Sequence, residues 1–167
     1  TKTWNDNDDQ DGIRPDSITV NLLADGTKVA EQKATAENGW KYSFDNLAKN
    51  KNGQPIVYTV TEGAVEGYSA ESTGYDIVNS HTPDVTAVSG AKTWDDSGNQ
   101  DGKRPEKITV RLLADGTEVN SAEVNADAEW KYSFADLAKY KNGKEIKYTV
   151  TEDAVENYSS KIDGYDI

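Results

Sequence analysis

A chain of 167 residues, 35% hydrophobic and 29% charged, has the composition of a soluble globular protein, with room for one domain or two small ones. Its formal net charge of -12 sets the surface against nucleic-acid phosphates and anionic membranes. It has no cysteine, which excludes disulfides and thiolate metal sites, and a single histidine, His81, which leaves almost nothing for triads, zinc sites or imidazole acid-base chemistry. No apolar run approaches the length of a bilayer span and the start TKTWND lacks the plan of a signal peptide, so any export or anchoring signal is expected outside this piece.

The first expected element is a short strand at Lys2–Trp4, where the lysine shares parity with the tryptophan. An acid-rich loop follows, WNDNDDQDGIRP, running from Trp4 to Pro15. Laid on a calcium loop, it offers Asn7, Asp9 and Asp11 with Gly12 at the turn. The position that should supply a bidentate glutamate is Ile18, the head of the next strand. The loop is therefore expected to be an acidic, solvated connection and no metal is assigned, although a weak calcium site at Asn5–Asp11 stays open.

Ser17–Leu23 alternates Ile18, Val20 and Leu22 with polar residues, Trp40–Phe44 alternates aromatics with Lys and Ser, and Ile56–Glu62 alternates Ile, Tyr and Val. Each reads as a half-buried strand. Asp25-Gly26 and Asn52-Gly53 mark turns, and Phe44–Lys49 has room for one helical turn. A connecting segment is expected over Ser80–Ala87, with His81 as a solvated linker residue.

Beyond that segment the pattern starts again. KTW recurs at Lys2 and Lys92, ITVxLLADGT at Ile18 and Ile108, WKYSF at Trp40 and Trp130, YTVTE at Tyr58 and Tyr148, and GYDI at Gly74 and Gly164, every pair offset by 90. With residues 1–77 laid on 91–167 without gaps, 46 of 77 positions are identical. The chain is thus two copies of one all-β domain of about seven short strands, expected as two tandem β-sandwiches over residues 1–82 and 83–167. The four tryptophans, Trp4, Trp40, Trp94 and Trp130, are expected in the cores.

Parity points a set of charged and polar side chains inward. Tyr58 and Val60 place Glu62 on the apolar side of its strand, as Tyr148 and Val150 do for Glu152; Lys2 and Lys92 follow their tryptophans; Ile77 carries Asn79 with it. Parity alone allows two readings. One is an ordinary strand-end ion pair reaching water with an asparagine capping a turn; the other is a buried reactive cluster.

The ordered motifs KTW, DG-RP, ITVxLLADG, W-KYSF-LAK, YTVTE and GYDIVNS resemble the collagen-adhesin B-type (Cna B) domain of Gram-positive surface proteins across nearly all of both copies. The resemblance implies a sandwich of inverse immunoglobulin-like or prealbumin-like topology. It also implies a spontaneous Lys-Asn isopeptide bond assisted by a buried acid, carried onto Lys2, Asn79 and Glu62. Burial would disfavour the charge on both Lys2 and Glu62, letting them exchange a proton so that a neutral amine attacks the Asn79 carbonyl. The reaction occurs once per molecule, so the protein is not a turnover enzyme and needs no cofactor.

Adding 90 to Asn79 gives position 169, two beyond Ile167, so Lys92 is an unpaired equivalent and Glu152 is expected to be idle. Asp166 has the wrong parity for that slot. The first copy likewise lacks a counterpart of Val85–Gly90, and the piece reads as cut from a longer array. The resulting expectation is a monomeric structural stalk segment of a secreted, cell-wall-anchored adhesin or pilin-like protein. Its partners would be neighbouring repeats, with host extracellular matrix reached through other domains, and neither nucleic acid nor membrane is among them. Alternatives are a module binding a host protein or glycan, a split domain capturing an asparagine-bearing strand, and, less supported by context, a carboxylate-based glycosidase.

Overall fold

Period-two alternation buries every second residue of Ser17–Ala24: Ile18, Val20 and Leu22 are buried and their neighbours are not. The chain, a computed structural model covering residues 1–167, divides into two units, Thr1–Pro83 and Asp84–Ile167. Strands of the first unit are β1 (Lys2–Asn5), β2 (Ser17–Ala24), β3 (Thr27–Thr35), β4 (Asn50–Lys51), β5 (Gln54–Pro55), β6 (Tyr58–Glu62), β7 (Ser69–Thr73) and β8 (Asp76–Ser80). Those of the second are β9 (Val85–Ala91), β10 (Lys107–Ala114), β11 (Thr117–Asn125), β12 (Lys131–Ala138), β13 (Tyr140–Lys141), β14 (Lys144–Glu145) and β15 (Tyr148–Glu152).

In the first unit one sheet has the order β3-β2-β6 and another β1-β8-β7, with β1 parallel to β8. Ile18, Val20 and Leu22 from β2, Ala34 from β3, Val60 from β6 and Ile77 from β8 form one apolar cluster, so the two sheets share a core as a sandwich. The β2–β3 hairpin closes on Asp25 and Gly26, both at positive φ, the two-residue turn whose twist matches the flanking strands. In the second unit β11-β10-β15 repeats the first sheet, and Val88 of β9 joins a core with Leu112, Val124, Phe134 and Val150.

Several local expectations are corrected. Lys41–Phe44 belongs to no sheet, whereas its counterpart in β12 pairs antiparallel with β9; the first unit has no strand beside that segment. Phe44–Lys49 forms no helical turn, and the only helix is a single 3-10 turn at Ala126–Ala128. The third expected strand begins at Tyr58, leaving Ile56 outside it. The connecting segment is shorter than Ser80–Ala87, because Ser80 belongs to β8 and Val85 to β9. All four tryptophans are partly buried against the cores, paired edge-to-face as Trp4–Trp40 at 5.0 Å and Trp94–Trp130 at 5.1 Å.

Candidate functional site

β1 brings Lys2 inward and β6 brings Glu62 to meet it. The Lys2 Nζ lies 3.6 Å from Glu62 Oε1, with both side chains almost wholly out of solvent. That separation is an ion-pair distance, too long for a good hydrogen bond, and neither Glu62 oxygen has a hydrogen-bond partner. The amine also sits 3.8 Å from the centre of the Trp4 ring and donates to the Thr3 carbonyl at 3.1 Å. Burial draws the Lys2 pKa from 10.5 down to about 8, although Glu62 and Asp6 pull the other way.

Asn79 is completely buried in β8, whose register sets Ile77 beside Lys2 and Asn79 beside Trp4. Its Oδ1 and Nδ2 atoms have no hydrogen-bond partner. Buried amides are nearly always paired, because an orphaned polar group costs about 1–3 kcal/mol. Three strands therefore gather an amine, a carboxylate and an amide in one apolar interior, and two of the three are unsatisfied.

The second unit repeats half of this arrangement. Lys92 Nζ stands 2.9 Å from Glu152 Oε1, again with both side chains nearly buried, and 4.5 Å from the Trp94 ring centre. Asp166 does not join them. It is exposed and its carboxylate accepts the Ala91 N–H at 2.9 Å, as the equivalent Asp76 accepts the Thr1 amino group at 2.6 Å.

The acid-rich loop is not merely solvated, contrary to the sequence expectation. Asp6 is 2% exposed and takes a two-pronged grip from Arg14, with Nε at 3.0 Å and Nη2 at 2.6 Å; the Tyr68 hydroxyl at 2.8 Å and the Asp9 N–H at 3.0 Å complete its shell. Burial would push the Asp6 carboxyl up, but these hydrogen bonds outweigh it and hold the pKa at about 2. Asp96, Arg104, Tyr158 and the Asn99 N–H repeat the knot. The signal was present in the sequence, since all three side chains of the knot recur at an offset of 90.

The other candidate calcium ligands are aimed elsewhere: Asp9 accepts the Arg14 N–H at 2.9 Å and Asn7 donates to Gln10. Asp11 is buried and lies 2.9 Å from Nε2 of His81, whose Nδ1 is 2.9 Å from the Gly67 carbonyl. No three His, Cys, Asp or Glu side chains are grouped as a metal ion would need. His81 is accordingly a partly buried tie between the end of the first unit and its loops, and not a solvated linker residue.

A tandem pair of all-β sandwiches, each with a lysine-glutamate pair inside and a tryptophan over the lysine, defines a class of repeat domain. The model of the Cna protein B-type domain matches residues 1–80 and again 88–167, and the chain belongs to that family. It is 45% identical over 171 residues to a collagen adhesin of Staphylococcus aureus, covering 98% of this chain and 14% of that protein. The solved structure of two B repeat units of the collagen-binding protein of Staphylococcus aureus superposes with a TM-score of 0.92 at 42% identity, covering 99% of this chain and 46% of that one. The chain is thus a pair of adhesin-type B repeats, far shorter than the relative it matches. No helix is long and apolar enough to cross a membrane.

Proposed function

We propose that these repeats are spacer units of a bacterial surface adhesin, exported and held at the cell wall, and that the first is locked by a covalent bond between Lys2 and Asn79. The observation that carries this reading is the completely buried Asn79 amide, left without hydrogen bonds on the strand beside the buried Lys2–Glu62 pair. Such a cluster costs stability if it only sits there, and it becomes explicable if the groups react.

The chemistry balances within the three residues. Glu62 takes the proton that makes Lys2 a neutral amine, and the lowered lysine pKa favours that transfer. The Lys2 nitrogen attacks the Asn79 side-chain carbonyl, a second lysine proton passes through Glu62 to the departing nitrogen, and the carbon-nitrogen bond to Nδ2 breaks. An amide forms and ammonia leaves. Holding the reactants together in a dry interior supplies the effective concentration that free side chains lack. Each molecule reacts once.

A link from residue 2 to residue 79 removes about 4.5 kcal/mol of loop entropy from the unfolded chain if it behaves as a disulfide would, a large fraction of the stability of a small domain. Because β1 and β8 are the first and last strands of the unit along the chain, tension applied through them would load the covalent bond before the sheets. A stack of such units would resist stretching and proteolysis, which suits a spacer more than a ligand-binding tip.

Intact-mass measurement tests the reading. The wild-type chain is expected one ammonia lighter than its sequence, and Glu62→Gln at the full mass. A wild-type chain at full mass sinks the crosslink; a loss of two ammonias sinks the assignment of Lys92 as unpaired.

A further inference from the structure

The knot of Asp6, Arg14 and Tyr68 does more than tie down a loop, because it closes on Trp4, the ring against which the Lys2 amine sits. Tyr68 meets Trp4 edge to face at 4.9 Å, and Trp40 meets it at 5.0 Å, so the indole is held by aromatic edges. The Arg14 guanidinium lies 5.5 Å from the centre of the Trp4 ring, and the Lys2 amine lies 3.8 Å from that same centre. One indole therefore serves two cations. The second unit repeats the arrangement, with Arg104 at 5.4 Å and Lys92 at 4.5 Å from the centre of the Trp94 ring.

Two cations that share one ring repel, and of the two only the lysine can give up its proton near neutral pH. Arg14 stays charged, since its hydrogen bonds to Asp6 raise its pKa above the ordinary 12.5. Asp6 stays charged as well, with its pKa held at about 2. The pair is thus a fixed couple of charges beside an amine that titrates at about 8. The charged groups acting on that amine are Glu62 from β6 and Asp6 and Arg14 from the loop after β1. Burial lowers the lysine pKa most, Glu62 and Asp6 raise it, and Arg14 lowers it. Tyr68, beside Trp4, and Tyr42, close enough to feel the Glu62 charge, have pKa values raised by burial and stay neutral over that range. Arg14 is therefore the one positive charge set against the carboxylates that would keep Lys2 protonated.

We propose that Arg14 and Asp6, in a role that rests on the Lys2–Asn79 crosslink proposed above, are positioning residues for its nucleophile: Asp6 anchors the guanidinium at Trp4, and the guanidinium offsets Asp6 so that Lys2 can release its proton. Neither residue touches the reacting atoms. The signs separate this role from plain anchoring. Removing either half of an anchor loosens the site in the same sense, whereas removing one of two opposed charges moves the lysine up in one case and down in the other.

The test titrates Lys2 by NMR of its Cε–H signals in the full chain carrying Asn79→Ala, where the amine cannot react. Relative to that parent, Arg14→Gln is expected to raise the Lys2 midpoint by at least about half a pH unit and Asp6→Asn to lower it by as much. Arg14→Lys, which keeps the charge, is expected to shift it less than half as far as Arg14→Gln. A dispersed first-unit spectrum identifies the variants that fold, and if Asp6→Asn does not, the contrast between glutamine and lysine at position 14 decides. Midpoints that move in one direction for Arg14→Gln and Asp6→Asn, or an Arg14→Gln midpoint that stays where it was, overturn the proposal, as does an Arg14→Lys that matches Arg14→Gln. With Asn79 intact, the chain is unfolded at full mass in guanidinium chloride and refolded at pH 7, and ammonia loss is followed by intact mass. Arg14→Gln is expected to react at least about threefold more slowly than wild type, the rate equivalent of half a unit, and Arg14→Lys close to the wild-type rate. A wild-type chain that keeps its full mass sinks the crosslink and any part of the knot in forming it. A wild-type chain that loses ammonia while Arg14→Gln keeps pace with it overturns the role of Arg14 alone.

Discussion

The two units have the same KTW and KYSF segments, yet each uses a different one as strand. In the first, Lys2–Asn5 pairs with β8 while Lys41–Phe44 pairs with nothing; in the second, Lys131–Phe134 pairs with β9 while Lys92–Asp95 lies outside every strand. Identical local sequence is therefore strand or not according to whether a neighbour is present to take its hydrogen bonds. The same contrast governs the interior. Both units bury a lysine against a glutamate, but only the first has a buried amide beside the pair.

The largest test of that contrast removes the acid. Glu62→Gln is expected to cost the first unit the loop-entropy staple of about 4.5 kcal/mol, whereas Glu152→Gln should cost the second only what its ion pair contributes. Thermal unfolding of the two variants, with the units distinguished by NMR, checks this; equal losses would mean that no covalent bond separates the units.

Next in size is the knot common to both. Asp6→Asn leaves Arg14 without its partner and is expected to destabilise the first unit by about 3 kcal/mol, with Asp96→Asn showing a smaller loss because that carboxylate is less enclosed. The Asp6 carboxyl is held at about 2 against an ordinary 3.8. Its stabilisation is thus complete above about pH 4 and is lost as pH falls towards 2. Acid titration of unfolding in wild type and Asp6→Asn measures that window.

A third difference belongs to the first unit alone. His81→Ala removes the tie to Asp11 and the Gly67 carbonyl and is expected to cost that unit about 1 kcal/mol while leaving the second unchanged, measured by urea denaturation.

The last effect is read as a slope. In Asn79→Ala the Lys2 amine stays free, with its folded pKa near 8 and its unfolded value at 10.5. Between those values the unfolded chain holds more protons, so the first unit should gain stability as pH rises from about 8 to 10.5 and show no such gain below 8. Wild type, in which the proposed bond would consume the amine, should lack this slope.

The 90-residue repeat, the alternation of Ile18, Val20 and Leu22, the Asp25-Gly26 turn and the inward parity of Lys2, Glu62 and Asn79 were all legible in the sequence. Each depends on spacing along one strand or on self-similarity, and local geometry translates both directly into faces and turns. Only the tertiary structure decided that Asp6 is a buried anchor instead of one more surface acid, that His81 closes onto Asp11, and that KYSF is a strand in one unit and an open edge in the other. Those outcomes turn on partners distant along the chain: Arg14 and Tyr68 for Asp6, Asp11 for His81, and a whole neighbouring strand for KYSF. A pairing energy is set by what arrives at the other side, and a one-dimensional pattern does not contain that.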